Sequence, residues 1–466
     1  MFKSFTMPKI GLALFCLLFT LSSCVKNPLP TSDDVRNFDN KVALQWNSLY
    51  LDVEKNAGGK VRPPQSARVL AYIGIGTYEA LVSGMPGYNS MAHKFSGLIL
   101  PKVETGVVYH WPLVYNFVYS TLLKKFYPSD PIQVADANMM FKIFSLEQEI
   151  LKRYEREIPA DVVRNSEDYA KKVAEAIYNW SSTDPNGHES YKKVTDPSYA
   201  APVGPGLWKP TSSGAAMGPY WGKVRLFAAQ ENDRQNGVAP IPFSEATNSK
   251  FYQQAMEVKT VVDDIKANKD YEGRWIAEFW SDDMAGFTFT PAGRLVAILN
   301  QVVEKDNSNL EKSVFAYAKM GLALNDAAVC CWALKYKWNI ERPESYITRV
   351  IDSKWKPIMG EPTAGAGNGF TPPFPAYPSG HSTFGAVGSE VMASIFGYNF
   401  EIIDRCHENR KDFLGIPRSY SNFFTMANEN AYSRIPIGVH FRMDCEEGLR
   451  VGYLVGQRVN ALPWHK

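Results

Sequence analysis

Three short blocks near the C-terminus collect residues that can do chemistry. They read Lys335-x6-Arg342-Pro343, Pro378-Ser379-Gly380-His381 and Ser433-Arg434-x5-His440-x3-Asp444. Together they hold three fixed cations (Lys335, Arg342, Arg434), two histidines (His381, His440), serine hydroxyls and a glycine-flanked turn. An oxyanion with several oxygens needs such a set: cations for its charge, histidines for bonding and proton transfer. The net charge is only +2 over 466 residues, so these cations form a local site and not a basic surface.

Each block alone has a plainer explanation. Lys335 closes an apolar helical run and Arg342 lies seven residues on, about two helical turns, so both side chains can point the same way. Pro343 disfavours helix at Arg342 and puts it at a helix end, but cations at helix ends commonly serve only the dipole. Ser379 is a natural N-cap for the apolar helix after it, whose first N–H groups make an anion site; Gly380 lets the backbone approach closely. A simple capped helix would look the same. Asp444 lies four residues after His440, one turn on in a helix, where its carboxylate can hold one ring nitrogen and aim the other at the site. Structural His–Asp pairs share that spacing. The three blocks together carry the inference.

The elements that must position them are helical. Helical periodicity runs over Gln65 to Val82, Tyr109 to Phe126, Val134 to Arg156, Ser166 to Trp180, Lys250 to Ile265, Tyr271 to Trp280, Leu295 to Glu304, Val314 to Lys337, His381 to Phe396 and Cys445 to Asn460. Alternating strand patterns are scarce, so the expected fold class is all-α. The segment Asp184 to Phe243 differs: it is dense in Pro, Gly, Ser and Asn yet carries Trp208 and Trp221. Such a long loop is uncommon within a compact domain. A linker is one reading; an ordered cap near the site is favoured, because aromatics are costly in a solvated linker. The expected organisation is a signal peptide over 1–23, a tether over 24–40, an N-terminal helical region over 41–243 and a catalytic region over 244–466.

The N-terminus reads as an export signal. Lys3 and Lys9 precede a 12-residue apolar run, Ile10 to Leu21, shorter than the roughly 20 residues that span a bilayer. Leu21-Ser22-Ser23-Cys24 resembles a bacterial lipobox, which makes Cys24 a lipid-anchor candidate and the cell envelope the expected location; an ordinary cleaved signal is the alternative. No other run long enough to span a membrane is read. Cys330, Cys331, Cys406 and Cys445 have neither zinc-ligand spacing nor a legible disulfide framework. The near-neutral charge argues against a nucleic-acid partner.

In this order, the three blocks resemble the signature shared by vanadium-dependent haloperoxidases and type 2 phosphatidic acid phosphatases, and every signature position is filled. Thr371 to Phe384 (TPPFPAYPSGHSTF) and Gly438 to Asp444 (GVHFRMD) look like the chloroperoxidase-like branch. The resemblance implies one or more helical bundles of that type. It implies vanadate as cofactor, bonded by His440 and cradled by Lys335, Arg342, Ser379, Gly380 and Arg434. Asp444 would orient His440, and His381 would be the acid–base group. Lys335 would polarise the oxidant, and hydrogen peroxide and halide would be the substrates. Trp332 and Phe374 fall where that branch places aromatics beside the halide, and Asp283 matches an acid that pairs with the site arginine. With no cofactor and a phosphate ester as substrate, the same residues support hydrolysis through a phosphohistidine at His440, with His381 protonating the leaving oxygen. A non-catalytic oxyanion-binding envelope protein is the third reading. Oligomeric state is not legible.

Overall fold

The computed structural model describes residues 32–57, 61, 63–128, 136–211, 215–284, 286–359, 371–411 and 414–466. The expected signal peptide and the lipid-anchor candidate Cys24 lie outside the described residues. Residues 32–40 pack onto the folded body: the Tyr109 N–H donates to Ser32 Oγ at 2.8 Å, the Leu310 N–H donates to Phe38 O at 2.8 Å, and Val35 is fully buried.

Thirteen α-helices are described: α1 (Lys41–Asn56), α2 (Gln65–Leu81), α3 (Trp111–Phe126), α4 (Ala137–Tyr154), α5 (Ala160–Ser182), α6 (Lys250–Lys266), α7 (Tyr271–Phe279), α8 (Pro291–Lys305), α9 (Leu310–Trp338), α10 (Pro343–Val350), α11 (Gly380–Phe396), α12 (Phe423–Tyr432) and α13 (Arg442–Asn460). One antiparallel pair, β1 (Ile402–Asp404) and β2 (Arg418–Tyr420), has Ile403 opposite Ser419. The fold is all-α, as the sequence predicts. Several helices start a turn before their first periodic apolar residue because a polar cap begins them. Thr290 accepts from the Gly293 N–H ahead of α8, and Asn309 from the Lys312 N–H ahead of α9.

α9 is the organising element. It packs against α2, α11 and α13, and every residue from Ser313 through Trp332 is buried. Its length and hydropathy would suffice to cross a bilayer, contrary to the expectation from sequence, but its apolar window is wholly buried inside the protein. It ends where Asn339 turns left-handed at φ +51°. α13 crosses α11 closely: a Cβ on Gly448 would lie 2.7 Å from Ser379 O, so only glycine lets the third block's helix meet the start of the second block's.

The described residues of the 184–243 segment fold against α9 and α13. Asp326 of α9 accepts the N–H groups of Phe227, Ala228 and Ala229 at 2.7–3.1 Å. Glu447 of α13 accepts the Val238 N–H at 2.9 Å, and the Trp208 N–H donates to Asn339 O at 2.7 Å. The Met217 N–H donates to Pro373 O at 2.9 Å, which places this segment beside the loop preceding Ser379.

Candidate active site

The three blocks converge. Lys335 sits in the last turn of α9. Arg342 is not at the end of that helix but in extended backbone (φ −82°, ψ 155°) as the N-cap of α10. The chain breaks at Asn339 between them, so a turn, not two turns of helix, brings the side chains together. Ser379 caps α11, its Oγ accepting from the Ser382 N–H at 3.4 Å, and the Ser379 N–H donates to Asp444 O at 2.8 Å. Gly380 is the first helical residue.

His440 precedes α13, and Asp444 lies in that helix's first turn. Nδ1 of His440 is 2.9 Å from Asp444 Oδ2, which also accepts the Phe441 N–H at 2.9 Å. Burial, then the charges of Arg342, Lys335 and Arg434, holds His440 well below the usual histidine range. The ring is therefore neutral, with its proton on Nδ1 facing the carboxylate. The Nε2 lone pair is left to accept from Arg342 Nη1 at 3.0 Å.

All three cations are buried. Arg342 donates to Phe374 O at 3.0 Å and Val439 O at 2.9 Å; Arg434 donates to Trp280 O at 2.5 Å. Lys335 donates to Pro375 O (2.9 Å), Ala376 O (3.0 Å) and Pro378 O (2.5 Å), so all three of its N–H groups fasten the loop ahead of Ser379. Burial lowers Lys335, while burial raises Asp444. Burial also lowers Arg342 to about 9 and Arg434 to about 10. His381 is pushed far down by burial and by the same three cations, which places it among them.

Two buried donors, Arg342 Nη2 and Arg434 Nε, and the buried ring nitrogen His381 Nε2 have no hydrogen-bond partner. An orphaned buried polar group costs roughly 1–3 kcal/mol. A tetrahedral oxyanion among them would satisfy both guanidinium donors, accept from His381 when Nε2 carries the proton, and offset the repulsion between the cations. The residues therefore fit such a group.

Trp332 and Phe374 form one wall. Their rings are 5.2 Å apart, Lys335 Nζ lies 5.2 Å from the Phe374 centroid, and the Arg342 guanidinium lies 5.0 Å from it. The Trp332 N–H is buried without a partner. Asp283 is not the main acid acting on Arg434. The fully buried Asp282 exerts the larger attraction and Asp283 a smaller one; Asp282 itself is raised to about 7 by burial, against the pull of Arg294 and Arg434. Both acids thus attract Arg434, Asp282 the more strongly. Adjacent acids point to different sides of the chain, and sequence alone does not say which one faces in.

A family model described as the VCPO second helical-bundle domain matches residues 315–462. That stretch holds all three blocks. Over those residues the chain is similar to the vanadium haloperoxidases. It is 24% identical to a vanadium chloroperoxidase of Curvularia inaequalis over 517 aligned residues, covering 91% of this chain and 82% of that protein. It resembles the crystal structure of a bacterial vanadium-dependent iodoperoxidase at 27% identity and a TM-score of 0.79, covering 92% and 98% of the two chains. An apo bacterial vanadium-dependent chloroperoxidase shares the fold at 12% identity and a TM-score of 0.59, covering 84% of this chain and 92% of that one.

Proposed function

We propose that the protein is a vanadate-dependent haloperoxidase that oxidises halide with hydrogen peroxide. The observation that carries this reading is the buried Trp332–Phe374 wall beside the cation cradle, with its free indole N–H. A soft, weakly hydrated anion such as iodide or bromide suits an apolar wall with flanking cations. The chain's similarity to a chloroperoxidase and an iodoperoxidase supports the same class.

Bound vanadate would supply a Lewis-acidic centre that activates hydrogen peroxide toward halide. The chain's own residues do the rest. His440 would hold the group through Nε2, because Asp444 fixes the proton on Nδ1. Arg342 and Arg434 would neutralise its oxygens with the donors they have free, and the Ser379 hydroxyl and the Gly380 N–H would add hydrogen bonds. Lys335 would act through its charge while holding the 375–378 loop in place. His381 would carry protons at Nε2.

The competing chemistry is phosphate-ester hydrolysis, with the Nε2 lone pair of His440 as nucleophile. Purified protein loaded with orthovanadate is expected to form triiodide from iodide and hydrogen peroxide. Hydrolysis of a phosphomonoester, inhibited by vanadate and unaccompanied by iodide oxidation, would sink the haloperoxidase reading in favour of the phosphatase.

A further inference from the structure

The 184–243 cap contains a cavity of about 430 Å³ that the chemistry above does not use. Its size is that of a small-molecule site. Lys193 and Lys223 both line it. Lys193 Nζ reaches only Pro185 O, at 3.3 Å, and Lys223 Nζ lies 4.9 Å from the Tyr220 centroid; neither pairs with a carboxylate among the described residues. Asp196 lines the cavity too, but its carboxylate is engaged by the Ser198 N–H at 2.8 Å and the Ser198 hydroxyl at 2.6 Å. Trp221, 4% exposed, completes the lining with a buried indole N–H that has no partner. The cavity thus offers two ammonium groups against the single Asp196 carboxylate, one unsatisfied donor and aromatic surface. Its complement is a flat organic anion.

Its position matters as much as its chemistry. Gly218 lines the cavity, and a Cβ built there would lie 3.0 Å from Trp332 Nε1. A single backbone residue therefore separates the cavity from the aromatic wall of the cradle.

We propose that this cavity docks an electron-rich aromatic acid, a phenolic carboxylate, as the acceptor of the oxidised halogen. The proposal rests on the haloperoxidase reading and names its organic substrate class. The balance is closed by that activity. Hydrogen peroxide, halide and one proton give hypohalous acid and water. The aromatic ring then loses C–H and gains C–halogen, and the released proton leaves with the hypohalous oxygen as a second water. The carboxylate would sit against Lys193 and Lys223 and the ring against Tyr220 and Trp221, next to where the oxidised halogen emerges.

The test uses the full chain loaded with orthovanadate and 4-hydroxybenzoate as probe, with binding followed by calorimetry and iodination by product analysis. A Lys193→Ala/Lys223→Ala double variant is expected to weaken 4-hydroxybenzoate binding about tenfold or more, since each ammonium makes a charge-assisted bond. It is expected to raise the KM for iodinating that acid, while triiodide formation and the iodination of uncharged phenol stay as in the parent. No binding by the parent, or equal binding by the double variant, overturns the proposal and leaves the haloperoxidase reading standing. Lysine-dependent binding by a parent that forms no triiodide overturns that reading and the acceptor role with it, leaving only an aromatic-acid site.

Discussion

At the scale of single residues, the cradle is a set of groups held in their less comfortable charge states. Burial and three cations hold His381 neutral far below the ordinary histidine range. A bound tetrahedral anion supplies the opposite charge and raises that pKa. Between the lowered and the raised value, binding must take up a proton, so affinity should rise as pH falls through that window. Sulfate is the clean probe, because it does not itself titrate between about pH 5 and 8, where a histidine is the usual titrating side chain. Calorimetry in two buffers of different ionisation enthalpy should show proton uptake on sulfate binding by the vanadate-free protein, and His381→Ala should abolish it. Proton release would remove His381 from the cradle, and any uptake that survives the substitution would belong to Lys335, which burial lowers to about 7. The cradle's members were legible in the sequence because charge and spacing are sequence properties. That Asp282 attracts Arg434 more strongly than Asp283 does was not, since only burial separates two adjacent acids. Nor was the use of Lys335, whose three N–H groups go to carbonyls that any residue carries.

At the scale of elements, the cap depends on one carboxylate. Asp326 sits on α9 nine residues before Lys335 and accepts three consecutive backbone N–H groups of the 184–243 segment. Asp326→Ala would leave those amides without an acceptor and cost roughly 3 kcal/mol, the order set by unsatisfied buried donors. The expected result is a lower melting temperature together with new proteolytic cuts inside 184–243; Asp326→Asn, which keeps one acceptor oxygen, should fall between. An unchanged cleavage pattern in the alanine variant would show that the cap is held elsewhere. Such anchors explain what the sequence could and could not say about elements. The long helices were legible from periodic apolar faces. α1 was missed because Asn47 and Glu54 interrupt its buried face, and α12 because Asn430 lies buried in its own. α10 spans only eight residues, too short for periodicity to register.

At the scale of the whole molecule, the helices before and after the cap share one core. Tyr50, Leu70 and Val118 belong to the same buried cluster as Val314, Phe384 and Val455. The joint is the crossing of α2 and α9, and glycine makes it close: a Cβ on Gly321 would lie 2.5 Å from Leu70 O, and one on Gly74 would lie 3.0 Å from Ala318 Cα. Backbone cannot yield there as a flexible side chain can. Gly321→Val must therefore push the two helices apart, at a cost of about 1–3 kcal/mol or more for overpacking. Because α9 also carries Lys335 and Trp332, the displacement should reach the cradle although Gly321 touches none of its residues. If the halves fold as one cooperative body, far-ultraviolet and near-ultraviolet circular dichroism of the parent should melt together, and the variant should lower both midpoints equally. A fragment of residues 244–466 should fail to fold alone, since it would expose the face of α9 that α2 covers. Two separated transitions in the parent, or a cooperatively folded fragment, would show instead that the catalytic helices stand without the first group and that the α2–α9 crossing is a docking surface between independent domains.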